Sequence, residues 1–177
     1  MFEDLEELAK VRLTGVWEQA GRDLLDEEAR IRADAGERGL SLTSGAVVQL
    51  RVDARLNRAR ATLMATLSVW MDIIRRRHGT VDEEAAGFIE SKLVGQTERQ
   101  KEGLARWARE EGVQAFGGRA ELQLDGYLAE ARRALKEAVL EGKLDGAAQR
   151  EAGVSRPASA PEAASDRHAP AHRGLGP

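Results

Sequence analysis

Proline is missing from the first 156 residues; all four copies, Pro157, Pro161, Pro170 and Pro177, fall near the C-terminus. Because proline removes a backbone donor and clashes with the preceding helical turn, its absence favours long helices joined by few, short connections. Cysteine is missing altogether. That excludes a disulfide framework, a thiolate nucleophile and any metal site built on sulfur. Lysine is scarce, limited to Lys10, Lys92, Lys101, Lys136 and Lys143, and aromatic residues make up 4% of the chain. No apolar run reaches the roughly 20 residues that a membrane-spanning helix needs. The longest stretch of that kind, Ala61 to Ile74, carries the single charge Asp72 and suits a buried core helix. The net charge of -3, drawn from 32% charged residues of mixed sign, is unlike the basic excess of a dedicated nucleic-acid binder. The start Met1-Phe2-Glu3-Asp4-Leu5-Glu6-Glu7 is acidic where a signal peptide is basic, so a cytoplasmic location is expected.

What is present is helical periodicity. From about Ser44 to His78, Val48, Val52, Leu56, Ala59, Leu63, Leu67, Trp70 and Ile74 recur in steps of four, four and three. This is an eleven-residue repeat, which favours a nearly straight packing stripe over the left-handed twist of heptads. Ala54, Ala61, Ala65 and Ser68 fall on roughly the opposite side of the wheel, so this central helix is expected to be covered on two faces. Phe2 to about Ala35 reads as a first helix with Leu5, Leu8, Val16, Ala20, Leu24 and Ile31 on one side, weakened by Gly15 and Gly21. Gly36 to Gly39 ends it, and Ser41, Thr43 or Ser44 can cap the next. Thr80-Val81-Asp82-Glu83 matches a capping box and opens a third helix. Its middle, Gly95 to Gly103, is almost wholly polar, and Thr97 to Gln100 is a second capping-box match, so a break near Gly95 is expected. Gly117-Gly118 precedes a fourth helix, roughly Arg119 to Gly142, whose start Asp125-Gly126 could delay. The expected fold is an all-α antiparallel bundle of about four helices over residues 1–145. The Ala-, Pro- and Arg-rich segment 146–177 buries too little apolar surface to order and is expected to be a disordered tail.

Charge is unevenly shared among these helices. Residues 1–35 hold ten acidic and five basic side chains, whereas 44–78 hold seven arginines against Asp53 and Asp72. Complementary neighbours explain this, weakly per pair but usefully for choosing which helix lies beside which. The row Arg51, Arg55 and Arg58 has helical spacing and could grip phosphate, as could the cluster Arg75, Arg76 and Arg77. Solvated or internally paired faces are the simpler expectation for both, since cations in a last helical turn already complement the helix dipole. A helix-turn-helix over residues 82–111, with Arg99, Lys101, Arg106 and Arg109 as readers, is opposed by Glu98, Glu102, Glu110 and Glu111 on the same helix.

Catalytic and cofactor motifs are lacking. No phosphate loop, dinucleotide fingerprint or nucleophile turn occurs, and His78 lacks the partner at the spacing a di-iron bundle requires. No catalytic residue, cofactor or metal is expected. Trp17, Trp70 and Trp107 fall on three helices as core anchors. The leading expectation is a non-enzymatic helical interaction or assembly protein that presents a helix face to itself or to another protein. The residues expected to form that interface are Leu56, Leu63, Leu67, Trp70 and Ile74, and a homo-oligomer would cover them. The alternative is a nucleic-acid accessory protein using the arginines. A small-molecule sensor with a pocket between helices is the third option.

Overall fold

The structure, a computed structural model, describes residues 2–154. Four helices pack together with no strand among the described residues: α1 (Glu6–Glu37), α2 (Gly45–His78), α3 (Glu83–Glu110) and α4 (Gly117–Val154). Short 3-10 turns at Glu3–Leu5 and Gln114–Phe116 precede α1 and α4. The fold is an all-α antiparallel bundle, as the sequence predicts. None of the described helices is long and apolar enough to cross a membrane.

Each junction has a local cause. The first and third helices close with the amides of Leu40 and Val113 donating back to the carbonyls of Ala35 and Ala108, both 2.8 Å, a wrap completed by Gly39 and Gly112. Gly79 ends α2 at φ +83, a left-handed backbone that a β-carbon would strain. The start of α3 differs from the expected capping box. Asp82, not Thr80, is the N-cap, and its carboxylate accepts from the Ala85 amide at 2.8 Å. Ser44 is the N-cap of α2 by backbone position but makes no side-chain cap bond, while Ser41 and Thr43 bond to each other at 2.8 Å.

Helix α2 is the hub, lying against each of the other three, while α1 packs on α2 and barely reaches α3 or α4. At one end of the bundle, Leu63, Leu67, Trp70 and Ile74 of α2 meet Leu5, Ala9 and Leu13, Ile89 and Leu93, and Leu128, Leu135 and Val139. At the other end, Val48, Val52 and Leu56 meet Leu104, Trp107 and Leu124. Each large apolar side chain so buried contributes on the order of 1.5–3 kcal/mol. The small-residue track of α2 is only partly covered. Ala54 packs beside Ile31, Ala35 and Val47, but Ala61 and Ser68 are exposed.

Two expected boundaries move. The third helix does not break near Gly95; it runs without interruption through Gly95 and Gly103. The fourth starts at Gly117, passes straight through Asp125-Gly126, and continues beyond Gly142 to Val154, into the segment expected to be tail. Gly142 is not a stop but a close approach: a β-carbon there would sit 3.2 Å from that of Thr80. The rest of the expected tail, 155–177, lies outside the described residues.

Candidate functional site

The five apolar residues expected at an intermolecular interface are interior. Leu56, Leu63, Leu67, Trp70 and Ile74 are all buried within the bundle, where α3 and α4 cover the stripe. The chain's own helices thus cover this stripe.

The arginine row divides in the same way. Arg51 is 2% exposed and holds Glu111, with Nη2 2.8 Å and Nη1 3.0 Å from its two carboxylate oxygens. Arg55 forms an ion pair with the buried Glu28 of α1 and lies 4.0 Å above the Trp107 ring. Burial is the main force lowering its pKa to about 10, opposed by Glu111 and assisted by Arg58, and it remains a cation at neutral pH. The Glu111 carboxyl is held below its usual value chiefly by the hydrogen bond from Arg51, against the opposing effect of burial. Neither Arg51 nor Arg55 is free to meet a phosphate backbone. Arg58 is, since it is exposed and has no ion pair among the described residues.

At the far end of α2, Arg75, Arg76 and Arg77 are all exposed. Arg75 reaches Glu141 at 3.5 Å, and Arg76 donates to Asp72 at 2.9 Å. Asp72 also accepts from Arg12 at 2.6 Å, and that bond is the largest cause of its lowered pKa. Of the cluster, only Arg77 has no carboxylate partner among the described residues. No group of three or more histidine, aspartate or glutamate side chains comes together among the described residues in a way that could hold a metal.

Between the two apolar ends of the core lies a polar layer that the sequence analysis missed. Thr62 and Thr66 of α2 and Thr97 of α3 are buried, each with its hydroxyl donated to a carbonyl three or four residues earlier. Gln100 donates to the Thr62 hydroxyl at 2.9 Å and to the Ala59 carbonyl at 3.2 Å. Its amide oxygen is buried without a partner, as are that of Gln96 and the indole nitrogen of Trp107. Such orphaned groups are uncommon in folded proteins, at about a few per 100 residues. The signal for this layer was in the spacing: Leu93, Gln96, Gln100, Leu104 and Trp107 keep the helical period through the polar middle of α3.

These groups face a crevice left where the middle of α1 stands off from α3; the two helices meet only nearer the start of each, where Lys92 holds Glu6. The middle of α1, Val16, Ala20 and Leu24, is only half-buried. One cavity there, of about 270 Å³, is lined by Trp17, Arg58, Thr62, Gln96, Arg99 and Gln100. A second, of about 290 Å³, shares Arg58 and Gln100 with it and extends to Arg55, Leu104 and Trp107. No carboxylate lines either one. Comparison with protein families, curated proteins and solved structures yields no match for this chain.

Proposed function

We propose that this chain is a non-enzymatic, cytoplasmic interaction protein that associates with a second copy of itself through the outer face of α4. The observation that carries this is a pair of leucines one helical turn apart, Leu140 and Leu144, which are 59% and 71% exposed. They sit where α4 passes the α2–α3 turn: from Lys143, which still reaches Glu83 at 2.7 Å, to Ala148 every side chain is exposed. A helical extension without packing is marginal in water, so a second helix against it is a physical gain. Beside Leu140, a shallow groove between α3 and α4, about 670 Å³, is floored by Ala86, Gly87, Leu135 and Val139. Two copies related by a two-fold axis would each set their leucines into the other's groove, the usual self-complementary form of a homodimer.

Nucleic-acid binding has less support. Arg51 and Arg55 are spent within the bundle, which leaves Arg58 alone from that row and Arg75, Arg76 and Arg77 at the far end of α2, two of them already paired.

Light scattering coupled to size exclusion tests the proposal. A dimer at micromolar concentration is expected for the native chain and a monomer for Leu140→Glu/Leu144→Glu with unchanged helicity. A native chain that stays monomeric, or a double variant that stays dimeric, refutes it.

A further inference from the structure

The crevice between α1 and α3 shares no residue with the α4 surface and does not depend on it. It combines three features seldom found together by accident. The first is buried hydrogen-bonding capacity left unused. Gln96, 6% exposed, makes no side-chain hydrogen bond among the described residues, although it lies among residues that satisfy themselves. Its amide carries an NH2 donor group and a carbonyl acceptor, and the oxygen is buried without a partner. The Gln100 oxygen and the Trp107 N–H are left over in the same crevice. Keeping such groups dry and unpaired is costly, and a bound partner removes the cost if it brings an N–H or O–H to the Gln100 oxygen, which two bonds from Nε2 hold in place as an acceptor.

The second feature is charge. Arg58 and Arg99 line the same cavity from α2 and α3, are both exposed, and have no carboxylate partner among the described residues. Arg99 lies back along α3 over Gly95, where a β-carbon would be 3.6 Å from its guanidinium. Carboxylates line only the adjoining grooves, Glu6 and Glu7 beyond Gln96 and Arg99, and Asp23, Glu27 and Asp53 on the other side of Arg58. The third feature is apolar wall: Trp17 at one end, and Leu24, Leu56, Leu104 and Trp107 at the other.

We infer that this crevice binds a small organic anion, a carboxylate, sulfonate or phosphate on a flat apolar body. Arg58 and Arg99 hold its charged group as two guanidinium forks. The Gln96 amide donates to the same group, and the apolar body lies along Leu24, Leu56 and Leu104 toward Trp107. A concave site with apolar walls and a few convergent polar groups is the usual form of a small-ligand site.

The probe is 8-anilinonaphthalene-1-sulfonate, with neutral N-phenyl-1-naphthylamine as its uncharged counterpart, titrated into the full native chain. Saturable one-to-one binding of the sulfonate is expected, with the uncharged probe at least about tenfold weaker. The indole N–H resonances of Trp17 and Trp107 should shift while that of the core residue Trp70 stays. Arg58→Glu/Arg99→Glu alters only exposed side chains, so its helicity and melting should match the native chain while sulfonate affinity falls by at least about tenfold. Gln96→Leu should weaken the sulfonate in a chain that folds as well or better. The proposal is overturned by absent or unsaturable binding, by equal affinity for the two probes, by an unchanged affinity in the arginine double variant, or by shifts confined to Trp70.

Discussion

Arg51, near the start of α2, grips Glu111, just past the end of α3, through both terminal nitrogens of its guanidinium, at 2.8 and 3.0 Å. The arginine is sealed while the carboxylate remains 37% exposed. This asymmetry sets what each deletion does. Removing the carboxylate leaves a buried cation with only Glu28, 4.0 Å from its Nε, whereas removing the arginine frees Glu111 to turn into water. Glu111→Ala is therefore expected to cost about 1–3 kcal/mol, discounted for the solvent that reaches the carboxylate. Arg51→Met, which fills similar space without charge, is expected to cost less. Urea unfolding of the two variants checks the order, and an Arg51→Met chain less stable than Glu111→Ala would contradict it.

Only seven residues separate Arg51 from Arg58, so both fall on nearly the same side of α2, yet one is sealed and the other open. The difference lies in their neighbours. Glu28 on α1 and Glu111 close over the first, while at the level of the second α1 stands away from α3. Periodicity reports the face a residue occupies but not what covers it. For the same reason the span of α2 was legible almost to the residue, since a repeated apolar stripe dictates it, whereas the crevice was not. Gly95 to Gly103 resembled a break because glutamines and threonines occupy its inward positions. Thr97 shows why no break is needed: it returns its hydroxyl to Leu93 and so continues the helix instead of capping a new one.

Asp72 joins α1 to α2 by accepting from Arg12 as well as from Arg76. Arg12 is the main cause that holds its carboxyl below the ordinary value of 3.8, and Arg51 does the same for Glu111 below 4.5. A carboxyl with a folded pKa below its unfolded one binds fewer protons in the native state. Its contribution is complete above about pH 5 and is lost as pH falls through 4 toward the folded value. Thermal melts should accordingly be level from neutral pH to about 5 and fall below that. Asp72→Asn should be less stable at neutral pH and should flatten the acid limb. An acid limb identical to that of the native chain would show that the Arg12 pair contributes nothing.

Two glycines of α4 respond oppositely to the same change. Nothing lies within 4 Å of a β-carbon built on Gly126, so Gly126→Ala should stabilise by about 1 kcal/mol through helix propensity alone. At Gly142 the new methyl would stand 3.2 Å from the Thr80 β-carbon and 3.4 Å from the Val81 carbonyl oxygen. That crowding opposes the propensity gain where α4 meets the α2–α3 turn. Gly142→Ala is therefore expected to gain distinctly less than Gly126→Ala, or to lose stability. Equal gains in denaturant midpoint would mean that the turn yields freely.

Gln96 occupies a buried position on the inward stripe of α3, one turn after Leu93, and its amide oxygen receives no hydrogen bond. Leucine is of similar size, fits the helix equally well and carries no polar group to desolvate. Gln96→Leu should therefore raise stability by about 1–2 kcal/mol in urea unfolding, an uncommon direction for a core substitution. Thr97→Val, one residue on, serves as the contrast because its hydroxyl is already satisfied by the Leu93 carbonyl at 2.9 Å. It removes a made bond along with the polar group and should change stability by less than about 1 kcal/mol. A destabilised Gln96→Leu would mean that the amide is satisfied within the folded chain in solution. A stabilised one marks a residue retained at a cost to the fold, which is the expected imprint of a site on the helix that carries it.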